Sequence, residues 1–393
     1  MKQFIKDNKV ILSLFFVGFI MQLIYYYNYA ATEWVISPML TYMNLVSLLL
    51  IGLSFLLFSA KRKRNILANL FLFGLLVLIA ETVCFVLLDS PEKYKKDFGL
   101  SSLPEDHVAN NIGTVPYSDS IYHSVLIQGN DTVYDVKYAI DEYWKRITPN
   151  YDSTKSKHAL FFGCSITYGV GLHENETFPY YFQELSGSYN AYNFSYPGYG
   201  AHQMLARMQF QDLTEQVKEK DGIAFYIFFD DHINRSIGSM NTYVNWGSGG
   251  PYYYMDDNKL IRNKLFKNGR YYTSKMYELL YQTSIVQYFN LDFPLKLTHT
   301  HIDLFVEMIL ASKNEYHSQF GNDDFYVILY PTYQNISTQD YKYFKTALEA
   351  KKIKYIDLQK FITYGPEHTL GGDPHPNANT NKILVEELIN QLN

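Results

Sequence analysis

Residues 223–229 read Ile-Ala-Phe-Tyr-Ile-Phe-Phe, an unbroken apolar run that ends at a cluster of polar residues. Such a run, rich in aromatic and β-branched residues, is typical of a strand that is covered on both faces of a parallel sheet. Similar runs predict four more strands, at residues 159–163, 190–194, 325–330 and 353–358. Helical patterns lie between these runs, at residues 177–185, 203–220, 346–351 and 377–392. This alternation predicts an α/β domain with a parallel sheet.

The composition and the distribution of charge narrow the class of protein. The chain has 393 residues, of which 47% are hydrophobic and 19% charged, which excludes a disordered or coiled-coil protein. Residues 1–90 carry seven basic and four acidic side chains, whereas the rest of the chain carries 27 basic and 35 acidic ones. An acidic domain does not attract phosphate backbones, so nucleic-acid binding is excluded.

Three long apolar runs lie in the first ninety residues, at 10–30, 39–60 and 66–88. A helix needs about 20 residues to cross the hydrocarbon core of a bilayer, and each run reaches that length. The runs are apolar on every helical face, unlike the helices of a soluble protein surface. Residues 1–90 are therefore predicted to form a membrane domain with three transmembrane helices.

The basic residues predict the orientation of these helices. Lys2, Lys6 and Lys9 precede the first run, residues 61–64 are all basic, and the loop at 32–38 has no Lys or Arg. Because basic loops stay in the cytoplasm, we expect the N-terminus inside and the chain after Ser90 outside, in a multi-pass protein of the cytoplasmic membrane.

Glu81 lies within the third run, and two interpretations of it are open. Either it contacts a partner helix or belongs to a polar path, or it is protonated or reaches the membrane interface. Its position about two turns from the outer end of the run favours the second interpretation.

A serine follows the predicted strand 159–163, within residues 163–169, Gly-Cys-Ser-Ile-Thr-Tyr-Gly. Ser165 would lie at the rim of the sheet, where ligands bind, and free N–H groups of the next helix can stabilise an oxyanion. The alternative is that Ser165 only caps that helix. The G-x-S-x-G pattern of α/β-hydrolases is not met, because Thr167 replaces its second glycine.

Two further polar segments follow predicted strands. In residues 193–200, Gly198 allows the backbone to approach a ligand, although a simple turn explains it equally well. Residues 230–235 read Asp-Asp-His-Ile-Asn-Arg at the carboxyl end of a strand, which is typical of a site, and the alternative is a helix cap by an Asp.

The fourth polar segment, residues 372–377, reads Gly-Asp-Pro-His-Pro-Asn. An Asp close to a His can orient the imidazole and stabilise its protonated form while the other ring nitrogen acts as a base. The alternative is an Asp-Pro turn with a solvent-exposed histidine.

Taken in order, these four segments resemble the SGNH hydrolase superfamily, also called GDSL-type lipases and esterases, over residues 157–393. The resemblance implies a three-layer, flavodoxin-like α/β fold. It also implies that Ser165 is the nucleophile, that Asp373 and His375 are the catalytic acid and base, and that the N–H groups of Ser165 and Gly198 form the oxyanion hole.

The chain departs from the family pattern at three positions. Cys164 stands where the family has Asp, and Asp373 and His375 are two residues apart instead of three. Asp231 falls where the family has an Asn that donates to the oxyanion, yet an ionised carboxylate only accepts hydrogen bonds. Either His232 or Asn234 supplies that donor, or it is missing.

The sequence thus predicts a serine ester hydrolase outside the cytoplasm, without metal or organic cofactor, that removes acyl groups such as acetyl from a cell-surface glycan. Residues 91–156 are expected to pack on the catalytic domain. An aromatic insertion at residues 238–273 interrupts the alternation and offers flat rings for sugar stacking, which we assign to Trp246, Tyr252, Tyr253 and Tyr254.

Two alternatives use the same fold. One is a glycan O-acyltransferase that works with a membrane-protein partner. The other is a non-catalytic glycan-binding or assembly protein, which Asp231 favours.

Overall fold

The computed structural model describes residues 9–31, 38–58, 61–88, 106–109, 111–129, 131–331 and 338–392. The predictions for Lys2, Lys6 and the loop between the first two apolar runs lie outside these residues. Contacts divide the chain into two compact units. One comprises Met1–Lys95 with Lys275–Leu295, and the other Lys96–Ser274 with Lys296–Asn393.

The first unit contains three long helices, α1 (Lys9–Ala31), α2 (Pro38–Phe58) and α3 (Lys61–Leu87). They match the three predicted runs in position, and residues 61–64, predicted as a loop, form the first turn of α3. Among the described residues, however, we find no helix with the length and apolar character that a membrane crossing requires. The prediction of three transmembrane helices is therefore not supported by the structure.

Glu81 of α3 has a structural role within this unit. Its side chain is buried, and its carboxylate accepts the backbone N–H groups of Ser284 and Ile285. These are the first residues of the short helix Ser284–Tyr288, whose leading N–H groups have no intrahelical partner. Glu81 therefore caps another helix of the unit, which agrees with the interpretation that it contacts a partner helix and not with the one that the sequence position favoured.

The second unit begins with two antiparallel hairpins. Strand β1 (Asp106–Ala109) pairs with β2 (Gly113–Pro116), and β3 (Ser120–Gln128) pairs with β4 (Asp131–Ile140).

The central sheet of this unit has five strands, all parallel to their neighbours. They are β5 (Lys157–Phe162), β6 (Tyr189–Asn193), β7 (Asp221–Phe228), β10 (Phe325–Leu329) and β11 (Lys354–Asp357). Their order across the sheet is β11-β10-β7-β5-β6. The five strands correspond to the five apolar runs of the sequence. The predicted α/β fold with a parallel sheet is confirmed.

Helices cover both faces of this sheet. Along β7, Ala224, Tyr226 and Phe228 pack into one apolar cluster, whereas Ile223, Phe225 and Ile227 pack into another. The first cluster includes residues of α6 (Ala201–Phe210), α12 (His299–Phe320) and α13 (Thr338–Ala350), and the second residues of α5 (Phe178–Ser186) and α14 (Ala378–Leu392). Because side chains alternate along a strand, a continuous apolar run fills both layers.

The helix predicted over residues 203–220 is shorter than expected. It ends at Phe210 because the backbone of Gln211 is extended, with φ −126° and ψ 139°. The side chain of Asp212 then accepts the N–H of Thr214 and caps a separate 3₁₀ turn, Leu213–Glu215.

The other α-helices and strands of the described residues have two to eleven residues each. They are α4 (Ser165–Tyr168), α7 (Asp231–Ile237), α8 (Met240–Asn245), β8 (Pro251–Asp256), β9 (Lys259–Leu265), α9 (Phe266–Gly269), α10 (Tyr271–Tyr281), α11 (Ser284–Tyr288), β12 (Thr369–Leu370) and β13 (Asp373–Pro376). Strands β8 and β9 form the hairpin of the aromatic insertion.

Candidate active site

Ser165 is the first residue of α4, directly after a tight turn from β5. A Cβ atom on Gly163 would lie 2.1 Å from Oγ1 of Thr167, so only glycine fits this turn. Ser165 is half-buried, and its Oγ lies 3.9 Å from Sγ of Cys164, to which it donates a weak hydrogen bond. As the first helical residue, Ser165 directs its backbone N–H away from the helix.

A buried arginine fixes the chain that follows α4. Nη1 of Arg146 donates to the carbonyl oxygens of Tyr168 and Gly169 at 2.8 and 2.6 Å, and Nη2 donates to Leu172 at 2.6 Å. The guanidinium also lies 4.5 Å from the ring centroid of Tyr138. Arg146 belongs to the segment that precedes the sheet, so this segment helps to hold the end of α4 and the chain that follows it.

The second segment of the predicted site is tied directly to α4. Nδ2 of Asn193, at the end of β6, donates to the carbonyl oxygen of Thr167 at 3.1 Å, and its Oδ1 accepts the N–H of Ser195 at 3.2 Å. The turn that follows carries Gly198 with φ +81°, in the left-handed region that favours glycine.

The two backbone donors of the predicted oxyanion hole are unused. In the described part of the chain, the N–H groups of Ser165 and Gly198 donate to no protein acceptor. Gly198 also lies against Trp246, since a Cβ on Gly198 would be 3.0 Å from Cδ1 of that ring. Both donors are thus available to a ligand.

Asp373 and His375 form a hydrogen-bonded pair on β13. Oδ1 of Asp373 lies 2.5 Å from Nδ1 of His375 and accepts the backbone N–H of His375 at 2.8 Å. Burial alone would raise the pKa of Asp373, but the hydrogen bonds and the charge of His375 outweigh it and hold that pKa below its usual value. The carboxylate is therefore ionised at neutral pH.

The structure brings this pair close to the serine helix, because β13 and α4 are in contact. Within the described residues, Nε2 of His375 has no hydrogen-bond partner, and Oγ of Ser165 is bonded to Cys164 and not to the histidine. Hydrogen bonds between catalytic groups are often long in the absence of substrate. The free Nε2 is the atom that a general base requires.

The third segment differs from the prediction. Oδ2 of Asp231 accepts from Nε of Arg235 at 2.7 Å, one turn later on α7. His232 is fully buried in the core, and its Nδ1 pairs with the hydroxyl of Tyr226 at 2.8 Å. Burial lowers the pKa of His232 well below its usual value, so the ring is neutral. Asn234 is half-buried and makes no side-chain hydrogen bond among the described residues. These contacts do not show that His232 or Asn234, the two predicted substitutes for the third oxyanion donor, reaches the site.

Arg235 is a site residue that the sequence reasoning did not select. Besides Asp231, its guanidinium contacts the carbonyl oxygen of Tyr199 at 3.4 Å and interacts with the side chain of Cys164. Burial alone would lower the pKa of Arg235, but its interactions with Cys164 and Asp231 outweigh burial and raise it. The spacing of four residues between Asp231 and Arg235 was the available signal, since such pairs meet on a helix.

The four aromatic residues of the insertion do not share one environment. Trp246 is 49% exposed, and the rings of Tyr252 and Tyr254, both partly buried, stack with their centroids 5.6 Å apart. Tyr253 is only 1% exposed, and its hydroxyl donates to Gln209 at 2.8 Å. Tyr253 is therefore a core residue in this structure, and its ring is not offered to a sugar.

Two histidines near the site in sequence, His202 and His173, differ in their surroundings. His202 is buried, and burial lowers its pKa to about 3. His173 borders a surface groove of about 460 Å³ whose lining includes Asp135 and Glu174 but none of the predicted catalytic residues. In the part of the chain that the structure describes, no group of three or more His, Cys, Asp or Glu residues is arranged to hold a metal ion.

Comparisons with known proteins gave structural likenesses only. No protein-family model and no curated protein matches the sequence. Among solved structures, the chain is similar to TesA, with 12% identity and a TM-score of 0.36 over 60% of this chain and 98% of that one. It is also similar to the acetyl xylan esterase Est2A from the rumen bacterium Butyrivibrio proteoclasticus, with 10% identity and a TM-score of 0.35 over 62% and 65% of the two chains.

A third similar structure is Est24, a carbohydrate acetylesterase from Sinorhizobium meliloti, with 8% identity and a TM-score of 0.34 over 60% of this chain and 98% of that chain. At these identities and scores, the three likenesses do not decide what the chain does.

Proposed function

We propose that the chain is a serine ester hydrolase whose nucleophile is Ser165. One observation carries this proposal: Nε2 of His375, which Asp373 orients, has no partner among the described residues and lies on a strand that contacts the helix beginning at Ser165. The N–H groups of Ser165 and Gly198, which donate to no acceptor in the part of the chain that the structure describes, add the donors that a tetrahedral oxyanion needs. If Ser165 only capped a helix and His375 only lay in a solvent-exposed turn, neither the oriented imidazole nor the two N–H donors would be required.

The reaction follows from these groups. Oγ of Ser165 attacks the ester carbonyl while Nε2 of His375 takes its proton, and the oxyanion accepts hydrogen bonds from the N–H groups of Ser165 and Gly198. The intermediate expels the alcohol, which receives the proton from His375. Water, deprotonated by the same nitrogen, then attacks the acyl-serine, and the acid is released as Ser165 regains its proton.

Ser165 is a better nucleophile candidate than its neighbour Cys164. The cysteine is only 1% exposed, whereas Ser165 is half-buried. A nucleophile must reach the substrate, and a cysteine would in addition require its own base.

For the substrate we propose an acyl ester, such as an acetyl ester, of a glycan. Support comes from the half-exposed Trp246, which lies against Gly198 and so places an aromatic ring beside a proposed oxyanion donor. Such a ring offers an apolar face to a sugar. The stacked pair Tyr252 and Tyr254, both partly buried, supplies two further aromatic rings of the insertion.

The deciding experiment is hydrolysis of an aryl acetate and of an acetylated glycan by the full chain. Ser165→Ala and His375→Ala should each abolish turnover, and the double variant should be little worse than either one, since the residues of a triad act as a unit. Ser188→Ala, an exposed serine on the same domain, is the matched control and should keep full activity.

Cys164→Ser tests the neighbouring thiol in the same assay and should retain turnover. Full activity of Ser165→Ala would overturn the serine mechanism. Glycan binding without any turnover would favour the non-catalytic alternative, and transfer of the acyl group to a second glycan in preference to water would favour the acyltransferase.

The location outside the cytoplasm is a proposal that rests on the basic residues of the sequence, at Lys2, Lys6, Lys9 and residues 61–64. A reporter that works only outside the cytoplasm should be active when fused after Ser90 and inactive when fused within residues 61–64. The reverse pattern, or activity of neither fusion, would contradict it.

A further inference from the structure

The third donor of the oxyanion hole is the unexplained part of the site. Asp231 stands at the position of the donor in the resembled family, but its carboxylate is bound to Arg235 and only accepts hydrogen bonds. His232 is buried in the core against Tyr226. Asn234 is half-buried, and no contact among the described residues ties its side chain to the turns of Ser165 and Gly198, whereas the neighbouring Arg235 has such a contact.

The guanidinium of Arg235 has partners next in sequence to the two residues that provide the other donors. Its Nη1 contacts the carbonyl oxygen of Tyr199, the residue next to Gly198, at 3.4 Å. The same group interacts with the side chain of Cys164, the residue next to Ser165. Arg235 is thus adjacent to both turns at once.

Two further contacts hold this guanidinium in place. Nε donates to Asp231 at 2.7 Å, and the group lies 4.8 Å from the ring centroid of Phe229. The side chain of Arg235 is 11% exposed and that of Asp231 29%, so the pair is largely shielded from water without being sealed from it. A donor that stabilises charge in a transition state acts best when its orientation is fixed in advance, because no free energy is then spent on reorienting it during the reaction.

The chemistry of the group fits the missing role. A guanidinium has five N–H donors, and the contacts of Nε with Asp231 and of Nη1 with Tyr199 leave donors unused. It stays charged at any pH at which the enzyme works, and hydrogen bonds from a charged donor to an oxyanion are about twice as strong as neutral ones.

We propose that Arg235 is the third oxyanion donor of this site, in place of the amide of the resembled family, and that Asp231 is the positioning residue that holds it. This inference rests on the proposed function, because it assigns a further catalytic residue to the same reaction. It also gives Asp231 a task that a carboxylate can perform.

The test compares Arg235→Gln and Arg235→Lys with the wild-type full chain on an aryl acetate. Loss of one oxyanion donor costs about 10²–10³ in kcat. We expect Arg235→Gln to lower kcat by about that factor with KM changed less than about threefold, and Arg235→Lys to fall between the two. Arg262→Gln is the matched control, since Arg262 is a partly buried arginine of β9 that donates to Asn111. It should keep wild-type kcat.

Chemical rescue separates a catalytic role from a structural one. Millimolar guanidinium should restore part of the turnover of Arg235→Ala and should not affect Ser165→Ala. Asp231→Asn should lower kcat and be insensitive to guanidinium, because Arg235 is still present but less well held. If Arg235→Gln or Arg235→Ala loses activity together with its thermal stability and is not rescued, the residue is structural and the proposal is overturned.

Covalent labelling of Ser165 by a fluorophosphonate keeps this test distinct from that of the proposed function. The phosphonyl oxygen needs the same donors, so Arg235→Gln should slow labelling as strongly as it slows turnover. Slowed labelling in a protein that hydrolyses no ester would support the role of Arg235 while the proposed hydrolysis fails. Labelling and turnover within threefold of wild type in Arg235→Gln would overturn the role of Arg235 alone. If Ser165 is not labelled in the wild-type chain, both the serine mechanism and the role of Arg235 are overturned.

Discussion

One carboxylate oxygen of Asp373 holds His375 in two ways, by its ring nitrogen Nδ1 at 2.5 Å and by its backbone N–H at 2.8 Å. The two residues lie two positions apart on strand β13, and side chains at such a spacing point to the same face of a strand. The spacing of two, which departs from that of the resembled family, is therefore compatible with an orienting acid.

Replacing this acid by its amide should disable the base without removing it. In Asp373→Asn, the amide no longer fixes the tautomer of His375 or stabilises its protonated form, and a comparable change in a serine protease lowers kcat about 10⁴-fold. We expect a loss of about that order in ester hydrolysis, with little change in KM. The control is Asp323→Asn, an exposed carboxylate on the same domain. A loss below tenfold would contradict the assigned role.

The same pair should make folding stability depend on pH in the acid range. The pKa of Asp373 is lower in the folded chain than in the unfolded one, where it is about 3.9. Its contribution is therefore fully present above the unfolded value and is lost as pH falls through the folded one. The difference in Tm between wild type and Asp373→Asn should shrink from pH 6 to pH 2. A constant difference over this range would show that the carboxylate has no such linkage.

Much of the fold was predictable because it depends on local apolar patterns. Each strand of the parallel sheet corresponds to an apolar run, and β7 could be recognised because its residues fill the layers on both faces. The end of α6 at Phe210 was missed, since it depends on an extended Gln211 and on a cap by Asp212, which hydropathy does not report.

The site was only partly predictable, for a different physical reason. Ser165, Gly198, Asp373 and His375 follow strands or precede helices, and such positions are visible in the sequence. The role of Arg235 depends on which surfaces meet in the folded chain, since its contacts are with residues about 36 and 71 positions away. For the same reason, the sequence did not show that Tyr253 is buried while Tyr252 is half-exposed.

Arg146 should be important for stability as well as activity. It donates to three carbonyl oxygens around the turn after α4, and each buried acceptor that loses its donor costs about 1–3 kcal/mol. We expect Arg146→Met to lower the free energy of unfolding by about 3 kcal/mol or more, measured by denaturant titration. Arg146→Lys keeps the charge but cannot reach all three oxygens, so it should lose less. Wild-type stability of Arg146→Met would show that these contacts do not hold the turn.

The aromatic residues of the insertion should separate binding of a glycan from turnover of a small ester. Tyr252→Ala and Tyr254→Ala should weaken binding of a polymeric glycan several-fold and leave aryl acetate hydrolysis within about twofold, because stacking on remote sugars does not touch the acyl group. Tyr253→Ala serves as the contrast, and it should lower thermal stability instead, by removing a core ring. Equal losses on both substrates would show that Tyr252 and Tyr254 support the fold and not glycan binding.

Gly198 offers the most specific test of the oxyanion hole. Gly198→Ala places a Cβ at a φ of +81° and 3.0 Å from the ring of Trp246, so the backbone turn must shift and its N–H with it. We expect kcat for an aryl acetate to fall about 10²-fold, with the domain still folded. Gly187→Ala is a matched control, because Gly187 has a similar φ of +71° and no atom within 4 Å of an added Cβ. It should show the cost of the left-handed backbone alone, as a small loss of stability with normal turnover.

The double variant Gly198→Ala with Trp246→Ala distinguishes the two sources of the loss. Removing the indole relieves the contact at 3.0 Å but leaves the positive φ. If the displaced N–H results from the collision with Trp246, the double variant should recover part of the lost kcat relative to Trp246→Ala alone. If it recovers nothing while Gly187→Ala is fully active, the strain at φ +81° itself displaces the donor. Normal turnover in Gly198→Ala would show that this N–H does not contact the oxyanion.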